Sequence, residues 1–119
     1  MRPHHQLRVW QEAMGLVTRL YRLTETFPTD ERFGLISQVR RAAVSVPSNI
    51  AEGAARGTRK EFIRFLVIAR GSLSELDTQL RVAQNLGYAS QTEPLIVDIE
   101  RLQAALGSLI KSQRTPLPE

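Results

Sequence analysis

The spacing of the apolar residues is the feature of this sequence that most constrains its fold. In every long segment the apolar residues recur at alternating steps of three and four, the period of an amphipathic helix. No segment shows the apolar-polar alternation that a half-buried strand would have. The sequence therefore predicts an all-α protein.

Four helical segments can be separated, and each carries an apolar stripe that we predict to face a common core. The helices are predicted at about residues 7–26, 30–56, 59–86 and 91–112, followed by a tail at 113–119. The predicted core stripes are Leu7, Trp10, Met14, Val17 and Tyr21; Phe33, Ile36, Val39, Ala43, Val46 and Ile50; Phe62, Leu66, Ala69, Leu73, Leu76, Leu80 and Ala83; and Leu95, Ile99, Leu102, Leu106 and Leu109.

Residues typical of helix ends mark the boundaries between these segments. Thr58 precedes Glu61 by three residues, the spacing of a capping box, and Gly87 suits a left-handed cap at the end of the third helix. Pro47 cannot donate a hydrogen bond inside the second helix, so we expect a kink there rather than a break. Because the connections are short, neighbouring helices must run antiparallel. The 119 residues are thus predicted to form one up-down-up-down four-helix bundle domain.

The composition excludes several kinds of functional site. The sequence has no cysteine, so it can form neither a disulfide nor a thiolate metal site. Its two histidines, His4 and His5, are adjacent, so neither the Glu-x-x-His pairs of a di-iron bundle nor a Ser-His arrangement is present. No Walker loop or dinucleotide fingerprint occurs. We therefore expect no enzyme activity, no catalytic residue, no metal, no cofactor and no small-molecule substrate.

Segments typical of membrane insertion or secretion are also missing from the sequence. No run approaches the ~20 apolar residues of a membrane span, and the first ten residues lack the apolar stretch of a secretory signal. The absence of cysteine suits a reducing compartment. We expect a cytoplasmic protein with no membrane partner.

A polar stripe runs along the second helix beside its apolar stripe. We predict that it forms a structural hydrogen-bond network with the third helix; a solvated face and, less favoured, a ligand pocket are the alternatives. The residues of the predicted network are Arg41, Ser45, Asn49, Glu52, Arg70 and Glu75, with Ser72 as a further partner.

Basic residues are predicted to gather at one end of the bundle. In this topology the start of the first helix, the turn between helices two and three, and the end of the fourth helix lie together. The candidate nucleic-acid-binding residues there are Arg56, Arg59, Lys60, Arg64, Lys111 and Arg114. With Arg2 and Arg8 they outnumber the acids Glu12, Glu52, Glu61 and Glu119. Such an end can hold phosphate backbone without reading sequence, although a net charge of +4 is also ordinary for a solvated surface.

The first helix carries a second apolar seam, which one bundle core does not need. This seam is Val9, Ala13, Leu16, Leu20, Leu23 and Phe27, and the third helix adds Ile63 and Val67 outside its core stripe. Excess apolar surface usually meets a partner, so we predict an interface between identical subunits at Val9, Leu16, Leu20, Ile63 and Val67. A wide stripe buried inside one bundle is the alternative, and the sequence leaves open which of the two seams of the first helix faces the core.

Two stretches of the sequence resemble a known family. Residues 38–53 contain Arg-Arg-Ala-Ala followed by Asn-Ile-Ala-Glu-Gly, and residues 62–76 contain Ile-Ala-Arg-Gly-Ser-Leu. Together with Val-Trp-Gln at 9–11 and Leu-Gly-Tyr at 86–88, they resemble the four-helix bundle proteins encoded in intervening sequences of bacterial 23S ribosomal RNA. The resemblance covers nearly the whole chain.

The resemblance implies an up-down bundle that assembles into rings, commonly of five subunits, with no established enzyme activity. A related branch of accessory proteins serves diversity-generating retroelements and contacts nucleic acid and a reverse transcriptase. The sequence thus favours a non-catalytic homo-oligomer that binds RNA or DNA through its basic end. The alternative is a protein-protein adaptor that uses its apolar seams and binds no nucleic acid.

Overall fold

The computed structural model describes residues 3–114, which form four long helices and contain no strand. The helices are α1 at Arg8–Thr24, α2 at Leu35–Ala55, α3 at Arg59–Asn85 and α4 at Glu93–Arg114. Short 3-10 helices at Pro3–Gln6 and Thr29–Glu31 precede α1 and α2. The fourth helix reaches two residues further than predicted, and the rest of the predicted tail, residues 115–119, lies outside the described residues.

The four helices pack as a square. Each packs against its two neighbours in the order α1, α2, α3, α4 and back to α1, whereas within residues 3–114 no α-carbon of α1 comes within 8 Å of one of α3, and none of α2 within 8 Å of one of α4. Consecutive helices run antiparallel because short connections join them, residues 56–58 being the shortest. The predicted all-α, up-down-up-down bundle is confirmed.

Both predicted ends of the third helix are confirmed, and each has a visible cause. The Thr58 hydroxyl accepts a hydrogen bond from the Glu61 amide at 3.2 Å, which begins α3. Gly87 has a positive φ of 72° and ends the same helix. Pro47 lies inside α2, which continues on both sides of it.

The predicted start of the second helix near residue 30 is wrong. Residues 29–31 form a 3-10 helix, and α2 begins only at Leu35. The Glu31 carboxylate accepts a hydrogen bond from the Leu35 amide at 3.2 Å, so this side chain takes the place of a capping residue. A Cβ at Gly34 would lie 2.6 Å from that carboxylate oxygen, so a larger residue there would displace the capping side chain.

The first helix turns a different stripe toward the core from the one predicted. Val9, Ala13, Leu16, Leu20, Leu23 and Phe27 are the buried residues of this segment. In the predicted stripe, Met14 is 44% exposed and Tyr21 37%. The two stripes have the same spacing, so periodicity could not separate them. The buried one has no polar side-chain atom, whereas the outward one includes a tyrosine and a tryptophan, which need polar partners when buried.

The stripes of the other three helices are largely confirmed. In α2, Val39, Ala43, Val46 and Ile50 are buried, but Phe33 precedes the helix and is 90% exposed. The α3 stripe from Leu66 to Ala83 is buried as predicted, and Phe62 is partly buried against it. In α4 the prediction missed the buried Ile96 and Ile110, while the predicted Leu109 is only partly buried.

Candidate functional site

The start of α1, the turn between α2 and α3, and the end of α4 meet at one end of the bundle, as predicted. A groove of about 370 Å³ lies between them. It is lined by residues of all three segments, among them Leu7, Gly57, Thr58, Arg59, Phe62 and Gln113. We call this region, with Arg56, Arg59, Lys60, Arg64, Lys111 and Arg114, the basic end.

The backbone of the basic end is held by close packing. Gly53 sits so near α3 that a Cβ there would lie 2.8 Å from the Cβ of Phe65. Gly57 takes a φ of 88°, a conformation that costs glycine little, and turns the chain into the Thr58 cap. The turn that carries Arg56, Arg59 and Lys60 is therefore fixed by the contact between the two helices.

Two arginines of the basic end flank one aromatic ring and are paired with acids. Arg56 contacts Glu52 at 2.9 Å, and its guanidinium lies 5.1 Å from the centre of the Phe65 ring. Arg64 contacts Glu61 at 3.3 Å and lies 5.3 Å from the same ring. These contacts limit the directions in which the two guanidinium groups can point.

Three other cations of the basic end have no acidic partner. Arg59, Lys60 and Arg114 are exposed and form no ion pair within residues 3–114. The acid Glu12 is paired with Arg8 at 4.0 Å, so each predicted acid of this end that the structure describes already has a basic partner. Lys111 is exposed as well, and Arg2 and Glu119 lie outside the described residues. The basic end thus carries a local excess of positive charge.

The predicted polar network is smaller than expected. The hydroxyls of Ser45 and Ser72 lie 2.5 Å apart and join α2 to α3. The Asn49 amide donates to the Ser45 carbonyl at 2.8 Å and to its hydroxyl at 3.1 Å. Glu52 does not join this cluster, since it pairs with Arg56.

The remaining three residues of the predicted network do not belong to it. Arg41 and Glu75 line a groove beside Ser45, but neither side chain forms a hydrogen bond or ion pair within the described chain. Arg70 points toward α4, where its guanidinium lies 3.9 Å from the place of a Cβ on Gly107. These longer side chains reach solvent or a neighbouring helix, so the network is confined to Ser45, Asn49 and Ser72.

The predicted subunit interface is wrong for its three residues on α1. Val9, Leu16 and Leu20 are buried inside the single subunit, and Leu20 has no exposed surface at all. Ile63 is half-buried against the core, and Val67 is 36% exposed. The two stripes of α1 have the same spacing, and the one predicted to lie outside is the one that packs in the core.

Outward apolar side chains lie instead on two opposite sides of the bundle. On α1, Met14 is seven residues before Tyr21, whose ring is covered by Arg40 of α2, so both lie on the α1–α2 side. On α3, Val67 is seven residues before Ser74, which accepts a hydrogen bond from Gln103 of α4 at 3.0 Å. Val67 therefore lies on the α3–α4 side, across the square from Met14.

Two kinds of site have no support in the described part of the chain. No helix there is long and apolar enough to cross a membrane. No group of three or more His, Asp or Glu side chains there is placed to hold a metal ion.

Comparisons with known proteins bear on the family and on the fold. The family model described as 23S rRNA-intervening sequence protein matches residues 5–108. One solved structure, at 1.70 Å resolution, is a protein of unknown function from the S23 ribosomal protein family of Bacteroides thetaiotaomicron. It matches with a TM-score of 0.79 and 24% identity over 87% of this chain and 98% of that one, which shows the fold. No curated protein matches the sequence.

Proposed function

The chain belongs to the 23S rRNA-intervening sequence protein family, and we propose that it is a non-catalytic homo-oligomer that binds the phosphate backbone of nucleic acid through its basic end. The observation that carries the proposal is the set of exposed cations without acidic partners, Arg59, Lys60 and Arg114, on a rigid turn and the adjoining helix end. Phosphate contacts of this kind bind RNA and DNA without sequence preference. The resemblance to the 23S rRNA-intervening sequence family, of which a related branch contacts nucleic acid, is in line with this role.

The proposed assembly explains how so few cations could bind usefully. A single subunit offers few phosphate contacts, so its affinity is low, whereas several copies acting on one strand multiply it. Met14 on α1 and Val67 on α3 are exposed apolar residues in the halves of these helices that lie toward the basic end, and the partly buried Trp10 and Ile63 lie near the starts of the same two helices. A head-to-tail contact between these two sides aligns the basic ends and can close a ring.

A protein-protein adaptor is the second candidate function, because the same outward apolar residues could receive a different chain. The two candidates differ in their response to charge. Binding through the basic end depends on Arg59 and Lys60, whereas an apolar contact at Met14 and Val67 does not.

Reversal of two charges tests nucleic-acid binding. We expect Arg59→Glu with Lys60→Glu to lower affinity for RNA and DNA by tenfold or more at ~50 mM salt, because each lost phosphate contact weakens binding. The matched control, Arg22→Glu with Arg101→Glu, makes the same change in net charge at exposed positions away from the basic end. Fluorescence anisotropy with labelled strands measures both. Equal affinity of the two double variants for nucleic acid would show that the basic end is not the binding site. If the parent binds neither RNA nor DNA, the protein-protein adaptor becomes the favoured function.

One exposed valine tests the assembly. We expect the parent to scatter light as an oligomer of the 13.4 kDa chain, and Val67→Glu to shift it toward the monomer by placing a charge in the contact. Val97→Glu is the control, because Val97 is 37% exposed but lies near the start of α4, at the other end of the bundle. A monomeric parent at micromolar concentration would contradict the proposed assembly.

A further inference from the structure

Another groove lies between the end of α1 and the start of α2, and its lining differs from that of the basic end. It has a volume of about 690 Å³, and no aspartate or glutamate is among the residues that line it. The lining includes three arginines, two aromatic residues and a valine: Arg32, Arg40, Arg41, Tyr21, Phe33 and Val44. Cations and aromatic rings are therefore interleaved on one surface.

The aromatic side chains of this groove are open to solvent. Phe33 is 90% exposed, and the 3-10 helix before it and Gly34 after it leave its ring outside the core. Tyr21 is 37% exposed. Val44 of the same groove is 42% exposed, so three exposed apolar side chains line one surface, and contiguous apolar surface of this kind marks a binding site.

One arginine of the groove is locked in place. The Arg40 guanidinium lies 4.6 Å from the centre of the Tyr21 ring. It donates to the Thr24 hydroxyl at 2.9 Å and to the Tyr21 carbonyl at 3.3 Å. The planar guanidinium is thereby held over one face of the aromatic ring, which leaves the outer face of the guanidinium and the exposed part of the ring as surfaces on which a nucleobase can stack.

The other two arginines are available for phosphates. Arg32 and Arg41 are exposed and form no ion pair within residues 3–114. Covering them with a second protein copy would desolvate guanidinium groups for which the groove supplies no carboxylate, at a substantial cost. A polyanion removes that cost, so charge complementarity favours nucleic acid as the occupant.

We propose that the groove binds unpaired, single-stranded nucleic acid. Bases stack on Phe33 and on the Tyr21–Arg40 pair, and the backbone phosphates contact Arg32 and Arg41. A duplex is excluded as the preferred ligand because its bases already stack on one another and present no free face. The groove goes beyond the proposed function, since contacts at the basic end do not distinguish single strands from duplexes, and it uses different residues.

Removal of the exposed ring tests the groove. The probes are a labelled oligo(dT) or oligo(U) strand and a duplex of equal length, measured by anisotropy with the parent, Phe33→Ala and Phe33→Trp. We expect Phe33→Ala to weaken single-strand binding about fivefold or more, the worth of one stacked base, and to leave duplex binding unchanged. Phe33→Trp restores stacking and should bind as the parent does. The control is Leu86→Ala, at another exposed apolar side chain, 53% exposed.

The outcomes separate this groove from the basic end. Loss of single-strand binding on Phe33→Ala, with or without a response to Arg59→Glu and Lys60→Glu, supports the groove. Unchanged single-strand binding by Phe33→Ala overturns it, even where the charge reversal abolishes binding and so supports the basic end. Loss of the oligomer on Phe33→Ala in light scattering also overturns it, because the groove would then be a contact between subunits.

Discussion

The basic end and the opposite end of the bundle are held together in different ways. At the basic end, residues 56–58 form one tight turn between closely packed helices. At the opposite end the connections are longer and are tied by side chains. The Tyr88 hydroxyl donates to the Glu31 carboxylate at 2.8 Å, and the Gln84 amide donates to Glu93 at 3.0 Å.

This difference shows which charges remain for a partner. At the opposite end, Glu31 is occupied in capping α2 and in binding Tyr88, and Arg81 bridges Asp77 and Glu100. At the basic end, packing of backbone and apolar atoms does the same structural work. The unpaired Arg59, Lys60 and Arg114 are consequently not needed for the fold. Like the unpaired Arg32 of the groove at the opposite end, they remain available to a partner, and we infer that they serve binding.

The core that both ends share gives the largest expected effect. We expect Leu20→Ala to destabilise the protein by about 2–5 kcal/mol, since a fully buried leucine is replaced by a cavity. Met14→Ala, on the outward stripe of the same helix, should cost about 0.5 kcal/mol or less in the folded subunit. Urea unfolding at equal subunit concentration compares them. A larger loss of stability for Met14→Ala than for Leu20→Ala would show that the stripe containing Trp10 and Met14 faces the core.

The close packing of the basic end can be broken at one glycine. We expect Gly53→Ala to destabilise by about 1–3 kcal/mol, because the new methyl group would overlap the Cβ of Phe65 at 2.8 Å. Gly15→Ala is the control: no atom lies within 4 Å of the added Cβ, so the change should stabilise α1 by about 0.5–1 kcal/mol. Thermal melting measures whether each variant is more or less stable than the parent. A higher melting temperature for Gly53→Ala would show that the turn is not tightly packed.

The hydrogen bond at the opposite end gives the smallest effect, and it depends on pH. Hydrogen bonding to Glu31 raises the pKa of Tyr88 above its ordinary value. A raised pKa means that the folded state favours the protonated phenol. The contribution of the Tyr88–Glu31 hydrogen bond to folding stability is therefore complete below about pH 10 and is lost as the pH rises through the higher folded pKa. We expect Tyr88→Phe to lower the melting temperature slightly at neutral pH.

The control for this prediction is the pH profile itself. Between neutral pH and about pH 11, the melting temperature of the parent should fall further than that of Tyr88→Phe, because only the parent has this phenol to deprotonate. Parallel profiles for the two proteins would show that the Tyr88–Glu31 contact does not stabilise the opposite end.

The sequence was sufficient for the features that depend on local chemistry. The helical period predicted the fold class, and the Thr58–Glu61 spacing and Gly87 predicted both ends of α3, because caps act within a few residues. The apolar stripe of α3 was also predicted correctly. The gathering of the basic end followed from topology alone, since the ends of antiparallel helices must coincide.

The features that depend on three-dimensional packing could not be predicted in this way. Two stripes of equal period on α1 can be told apart only by knowing where α2 and α4 lie. The exposure of Phe33 depends on Glu31 capping α2 in its place, which no periodicity indicates. The hydrogen-bond network at Ser45 depends on the distance between the hydroxyls of Ser45 and Ser72, whereas the sequence pattern indicates only that the polar residues of α2 share one face.

The salt dependence of nucleic-acid binding tests the central claim, that the basic end holds phosphate backbone, most directly. The logarithm of the binding constant falls by about 0.7 to 0.9 per phosphate contact for each unit of log salt. Because an assembled protein presents Arg59, Lys60 and Arg114 several times, we predict a steep fall for the parent and a clearly flatter one for Arg59→Glu with Lys60→Glu. Affinity that does not change with salt, or equal slopes for the two proteins, would contradict the account.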